Sequence, residues 1–177
     1  MKKILVVVDM QNDFINGALG TQEAQAIVEK AAALIEKFEG AIYVTMDTHQ
    51  SDYLDTAEGK KLPVAHCIKG TDGWLLNERI LTALATKEYS TIEKGTFGST
   101  RLAEEIRKAG DQKELEIECL GLCTDICVVS NVLLLKANFP EAKITVHADC
   151  CAGVTPETHE AALKTMEMCQ IEVEGAR

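Results

Sequence analysis

The sequence predicts an α/β protein of three layers, α/β/α, around a central, mainly parallel sheet of six strands. Three observations predict it. Short apolar runs alternate with helical patterns along the whole chain, the order that makes strands parallel and sends helices to both faces. The first run, Ile4 to Val8, is apolar at every position and rich in β-branched residues, as in a strand buried on both sides. Charged residues stop several of these runs at their carboxyl ends, the edge where open α/β sheets bind ligands. The 177 residues suit a single domain, residues 1–177, with one cleft.

The first strand, Ile4 to Val8, ends at Asp9, which reads either as a carboxylate at the ligand edge or as a cap on the next turn. Gln11 to Phe14 and Asn16-Gly17 form a loop, with Phe14 lining a pocket or plugging the core. Gln22 to Phe38 has Ile27, Leu34 and Ile35 at helical spacing, and Gly40 stops it. A second strand, Ala41 to Met46, runs into Asp47-Thr48-His49. From Gln50 to Gly73 no long periodic pattern appears, yet the segment holds Asp52, Asp55, Glu58, His66 and Cys67, and loops this long are usually functional or disordered. An amphipathic helix is expected from about Trp74 to Leu84 and a third strand over Tyr89 to Glu93, followed by Lys94. The glycine-punctuated loop Gly95 to Thr100, which carries Phe97, leads into a helix over Arg101 to Ala109. Strand four, Leu115 to Leu120, gives way to Gly121-Leu122-Cys123 and to an apolar helix from Thr124 or Asp125 to about Ala137. Ile144 to Val146 is a fifth strand, ending near Asp149. A helix over Thr155 to Met168, capped by Thr155 with Pro156 at its first position, precedes a short last strand, Gln170 to Glu174.

Composition narrows the partners. A formal charge of −10 without a cluster of lysines and arginines argues against nucleic acid and anionic membranes, since either calls for a basic face. Small molecules fit better. Met1-Lys2-Lys3 before Ile4 to Val8 imitates the start of a signal peptide, but Asp9 ends the apolar run too soon. No run approaches membrane-span length, so a soluble cytoplasmic protein is expected. Seven cysteines, an odd number, suit reduced thiols better than a disulfide framework. Cys119, Cys123 and Cys127 recur every four residues, but they straddle a strand and a helix without a C-x-x-C pair, which disfavours a cysteine-only metal site.

Cys127 is the best nucleophile candidate, because unpaired N–H groups and the macrodipole at a helix start favour a thiolate. The alternative is a small core cysteine. Asp47 and His49, with His66 and one more acidic side chain, have the residue types of a zinc, iron or manganese shell. A solvated loop is the alternative. Lys94 is placed to hold a neighbouring thiolate or carboxylate in its charged form, or else marks a surface turn.

Three segments in order resemble one family. Val8-Asp9-Met10-Gln11-Asn12-Asp13-Phe14, Glu93-Lys94-Gly95 and Gly121-Leu122-Cys123-Thr124-Asp125-Ile126-Cys127-Val128 look like the Asp, Lys and Cys motifs of the isochorismatase-like cysteine hydrolases. Asp47-Thr48-His49 and Pro63 through Gly70 resemble the metal loop of their nicotinamidase branch. The resemblance implies a Rossmann-type topology and acyl transfer from a small aromatic amide to Cys127, with Asp9 as general base and acid and Lys94 steadying the charges. It places the oxyanion and substrate side at Cys123, Leu122, Phe14 and Phe97, with a cis peptide between Leu122 and Cys123. It implies one divalent cation, zinc first with iron or manganese as alternatives, on Asp47, His49, His66 and a fourth ligand. Glu58 is preferred to Asp55, because Glu58 to Pro63 resembles the arrangement in which a glutamate serves. Pro63 itself stands where many nicotinamidases have an aromatic residue. Homo-oligomers are common in the family, and a homo-oligomer is expected here. The other readings are a hydrolase of another small amide, carbamoyl compound or vinyl ether, and a non-enzymatic metal- or redox-binding protein.

Overall fold

The computed structural model describes residues 1–175. Its sheet has the strand order β3-β2-β1-β4-β5-β6, and every neighbouring pair is parallel. The strands are β1 (Lys2–Val8), β2 (Ala41–Asp47), β3 (Tyr89–Lys94), β4 (Leu115–Leu122), β5 (Lys143–Ala152) and β6 (Glu172–Glu174). From β1 the chain winds outward through β2 and β3, then returns to the other side of β1 with β4. The order therefore reverses between β1 and β4, which opens a crevice at their carboxyl ends.

The unbroken apolar run of β1 is explained by its two covered faces. Leu5 and Val7 point into one core with α1 (Asn12–Ile15), α2 (Gln22–Ala26), α3 (Val28–Lys37) and α5 (Glu78–Leu84). Ile4, Val6 and Val8 point into a second core with α6 (Thr100–Arg107), α7 (Val129–Asn138) and α8 (Pro156–Met168). A strand with hydrophobic layers on both sides has no polar alternation to keep. Thr155 and Thr158 form a reciprocal capping box at the start of α8, with Pro156 just inside.

The structure redraws several boundaries. The helix expected over Gln22 to Phe38 is two helices, because the Ile27 N–H turns back to Gln25 O and the ladder restarts at Val28. Ile27 and Val28, adjacent in sequence, both reach the core by this break. The fifth helix starts at Glu78 instead of Trp74. Leu76 pairs with Gln11 in an isolated antiparallel bridge, and Asn77 Oδ1 then caps the helix by accepting from Arg79 N at 3.0 Å. The long segment after β2 contains a 3-10 turn, Tyr53–Asp55, and the short α4, Ala57–Lys61, capped by Thr56. The turn after β4, Thr124–Val128, is a π turn in which Val129 N reaches Thr124 O, and regular α-helix begins only at Val129. Among the described residues no helix is long and apolar enough to cross a membrane.

Candidate active site

Strand register brings the charged strand ends together. Val8 lies beside Thr45 and Asp47 beside Lys94, so Asp9, Asp47 and Lys94 emerge side by side at the sheet edge. Asp9 leaves the strand in the left-handed region, φ 47°, and its N–H donates to Thr45 O at 3.1 Å. Thr45 Oγ1 returns a bond to Asp9 Oδ1 at 2.6 Å. Lys94 Nζ stands 2.6 Å from Asp9 Oδ2 and 3.7 Å from Asp47 Oδ1, and donates to Thr96 O at 3.0 Å and to Cys127 Sγ at 3.4 Å. The Asp9 carboxylate also acts electrostatically on the Cys127 sulfur. Asp9 is 0% exposed, Lys94 5% and Cys127 4%, so three groups from distant segments share one dry contact.

Burial decides the protonation of this trio. It raises Asp9 above the ordinary carboxylate value, with the Lys94 charge opposing. Burial alone would lower Lys94, but Asp9, Cys127 and Asp47 hold it charged, well above the usual lysine range. The thiol of Cys127 is pushed well up by burial and by Asp9, against Lys94. The helix-start dipole favours the thiolate, while burial and the Asp9 charge act against it. Burial thus favours the neutral thiol and a carboxylate of raised basicity side by side.

The backbone after β4 sets the sulfur's place. Gly121, at φ 128°, lies against β1 so closely that a Cβ there would collide with Val8 O. The Leu122-Cys123 peptide is cis, and Cys123 O accepts from Ile126 N at 3.1 Å and Val128 N at 3.0 Å, closing the turn that presents Cys127. The turn is tied to the start of α8 by Val154 N donating to the Asp125 carboxylate at 3.1 and 3.2 Å, and by a 2.8 Å bond between Thr124 Oγ1 and His159 Nδ1. Burial and Asp125 push the Cys123 thiol up to about 12. Leu122 needs a correction: its side chain is fully buried in the core with α2 and α3, and only its peptide bond belongs to the site. Strand alternation forces this, because Cys123 beyond it turns toward the cavity.

A second cluster lies beside the trio. Asp47 Oδ2 is 3.0 Å from His49 Nε2 and 3.5 Å from His66 Nε2, and Glu58 Oε1 is 3.7 Å from both imidazole nitrogens. Asp55 is exposed on the 3-10 turn, while Glu58, one turn further on, faces inward from α4. His66 Nδ1 donates to Val64 O at 2.8 Å, which turns the lone pair of Nε2 toward a carboxylate. Two lone pairs facing each other call for a proton or a cation between them. Without a metal, the bonds to Asp47 and Val64 raise His66 against its burial. Burial would raise Asp47 as well, but His49, His66 and Lys94 hold it well below the carboxylate range. The donor set, two imidazole nitrogens with carboxylate oxygens, fits a divalent transition-metal ion, and Asp47, His49 and His66 make a metal-capable site.

Three supporting residues stand outside the candidate site residues read from the sequence. Gln11 is buried and clamps the backbone of Asp47: its Oε1 accepts from Asp47 N at 2.7 Å, and its Nε2 donates to Asp47 O and Trp74 O, each at 2.8 Å. Tyr53 packs its ring against His49 and His66, centroids 4.7 and 4.9 Å apart, and donates to Leu62 O at 3.0 Å. Thr45 fixes Asp9 as described. Gln11 and Thr45 act across 36 positions, while Tyr53 meets both histidines from within the segment after β2.

A cavity of about 230 Å³ opens over both clusters. Asp47, Glu58 and His66 of the second cluster line it together with Cys123 and Cys127, and Phe14, Leu19, Leu62, Phe97, Ile126 and Val154 add apolar surface. Phe14 also lies 5.6 Å from the His66 ring. Leu62 is the wall residue next to Pro63, where the aromatic residue of the family pattern is absent. The space suits a small, flat, mostly apolar molecule with a polar group at each end.

Residues 3–176 match the model of the isochorismatase domain. The chain is 28% identical to the crystal structure of the nicotinamidase/pyrazinamidase PncA from Bacillus subtilis, covering 99% of this chain and 100% of that one with a TM-score of 0.85. It is 26% identical to the nicotinamidase/pyrazinamidase of Mycobacterium tuberculosis over 97% of each chain. The pyrazinamidase of Pyrococcus horikoshii, crystallised in complex with zinc, is 26% identical with a TM-score of 0.80, over 99% of this chain and 100% of that one.

Proposed function

The chain belongs to the isochorismatase domain family, and from that premise we propose that it is a metal-containing cysteine amidohydrolase that converts nicotinamide or a closely related ring amide to its acid and ammonia. The observation that carries the reading is the meeting of Cys127, Asp9 and Lys94 beside a ring-sized cavity that Cys127 lines together with Asp47, Glu58 and His66. Neither half alone is specific. A thiol, a carboxylate and an ammonium serve acyl transfer, and a nitrogen-and-carboxylate shell at ring distance from them serves to hold a heteroaromatic nitrogen.

In this mechanism the Cys127 proton passes to Asp9 as sulfur attacks the amide carbon, a transfer for which the raised Asp9 carboxylate is suited. Lys94 stays protonated and balances the negative charge, whether it sits on sulfur or on Asp9. The backbone N–H groups of Cys123 and Cys127 receive the developing oxyanion. When the C–N bond breaks, Asp9 gives its proton to the nitrogen, ammonia leaves, and a thioester remains on Cys127. Asp9 then takes a proton from water, the C–S bond breaks as the acid forms, and the proton returns to sulfur. Asp47, His49, His66 and Glu58 would hold the divalent cation, zinc first, which when bound supplies an electrophilic position for the ring nitrogen. Phe14 and Phe97 flank the ring.

The test is ammonia release by purified protein from nicotinamide, pyrazinamide and an N-carbamoyl amine, with the carbonyl product followed for a vinyl ether, beside metal analysis of the same sample. Turnover of the ring amides, abolished in Cys127→Ala, supports the proposal. Preference for the carbamoyl compound or vinyl ether, or robust turnover by the alanine variant, overturns it.

A further inference from the structure

One buried side chain joins the wall of the cavity to the nucleophile. Asn131 lies on α7, four residues after Cys127, and is 1% exposed. Its Nδ2 donates to Cys127 O at 2.8 Å and to Phe97 O at 3.0 Å, while its Oδ1 accepts from Ser99 N at 2.9 Å. A buried amide placed only to fill space would leave these three backbone groups without this partner, at a cost an apolar residue of similar shape could not offset.

Ser99 Oγ ties the far side of the loop it holds to the next helix by accepting from Leu102 N at 3.2 Å, but leaves Phe97 to other contacts. Phe97 is 42% exposed although its ring lines the cavity, so the core does not fix it. Its position is set through the backbone, by Lys94 Nζ on Thr96 O and by Asn131 on Phe97 O and Ser99 N. The loop also lies flat on α7, since a Cβ at Gly98 would come within 2.6 Å of Leu134 Cδ1. The carbonyl of Cys127 belongs to the π turn, whose wide winding sets the direction of the sulfur.

We propose that Asn131 is a positioning residue that registers the Phe97 wall against the Cys127 turn, so that a ring held by the wall presents its amide carbon to sulfur. The proposal rests on the amidohydrolase reading and adds to it a residue that touches neither substrate nor reacting atoms. It makes a separable claim, because the two ends of the Asn131 amide do different things. The bond to Cys127 O serves the chemical step, and the bonds to the 97–99 loop serve ring binding.

Asn131→Thr tests the separation. A threonine hydroxyl bonds back to the carbonyl four residues earlier, here Cys127 O, and cannot span to the loop. With nicotinamide, and rates expressed per folded chain, Asn131→Thr is expected to raise KM about tenfold with kcat within about threefold, whereas Asn131→Ala raises KM and lowers kcat by about tenfold or more. Equal kcat in the two variants, or unchanged KM in both, overturns the proposal. Hydrogen exchange gives a readout that needs no turnover. Asn131→Thr should speed exchange in peptides covering residues 95–99 and spare those covering 124–128, while Asn131→Ala speeds both. If the wild type cleaves none of the amides, the amidohydrolase reading fails, and the exchange pattern alone decides whether Asn131 registers the two segments. Equal acceleration of both segments in Asn131→Thr, or no acceleration of either in Asn131→Ala, sinks it.

Discussion

The two ends of the cavity are built in different ways. At the Cys127 end, every group that the proposed mechanism uses sits at the end of a strand or one turn beyond it, and strand register sets the spacing: Asp9 after β1, Lys94 closing β3, Cys127 in the turn after β4. At the Asp47 end only Asp47 closes a strand, while His49, Glu58 and His66 come from the irregular segment that follows β2. That segment is held by cross-links to its neighbours. His49 N donates to Cys67 O at 3.0 Å, Lys69 N to His49 O at 2.9 Å, and Cys67 N to Asp13 Oδ2 at 2.8 Å. Groups that must be placed within a fraction of an ångström for bond making come from the sheet. Groups that receive and orient come from a pinned loop, where replacement changes shape without disturbing the core.

If this division is right, damage at the two ends should differ in kind. Cys127→Ala should abolish ammonia release to buffer background while the metal content stays unchanged; loss of metal in that variant would break the contrast. Asp9→Asn keeps the shape but removes the base, and should lower kcat by about 10²–10⁴ with KM little changed, read from steady-state kinetics. His66→Ala, at the other end, should lower bound metal as measured by elemental analysis and raise KM for nicotinamide by about 10–100-fold, the range seen when metal positioning is lost. Chelator treatment of the wild type should give the same KM phenotype, reversed by zinc. Gln11→Leu strands the buried N–H and C=O of Asp47, costing about 1–3 kcal/mol; a chain of this size should lose several degrees of thermal midpoint. The smallest effect concerns His159, whose ring burial lowers below its ordinary 6.5, with Glu160 and Asp125 opposing. A lowered folded value means stability fully present above about pH 6.5 and lost as pH falls below it, because the unfolded chain takes the proton more readily. The loss stays under about 1 kcal/mol for a half-exposed, solvent-screened ring. Thermal midpoints at pH 8 and pH 5 should therefore diverge more in the wild type than in His159→Gln.

The same division governs what the sequence discloses. Strand ends are legible, because a carboxylate or lysine that stops an apolar run must emerge at the ligand edge, and Asp9, Asp47 and Lys94 were placed in this way. The six strands and the two covered faces follow from the run Ile4 to Val8 and the alternation after it. The residues that hold the site were hidden. Gln11 looks like any loop glutamine until it meets Asp47, 36 positions away, and Thr45 and Asn131 look like ordinary strand and helix residues. Periodicity also misled where a hydrophobic cluster served a turn. Trp74, Leu75 and Leu76 resemble the first turn of a helix, yet Trp74 Nε1 donates to Thr48 Oγ1 at 2.9 Å and Leu76 bridges to Gln11, both contacts set by tertiary structure. The influences on the Cys127 thiol divide in the same way: the helix start is local, and the Asp9 carboxylate that opposes it arrives from the other end of the chain.

Gly121 touches the strand that delivers Asp9 just before the chain turns to deliver Cys127. The gap between acid and sulfur is thus fixed by two polypeptide backbones in contact, with no side chain between them to act as an adjustable spacer. Tuning by small steps is closed off at that point: even a methyl group would wedge the strands apart and separate the proton's two resting places. Variation in what such a protein can cleave is left to the residues around the mouth, which can change freely while the reacting pair keeps its distance.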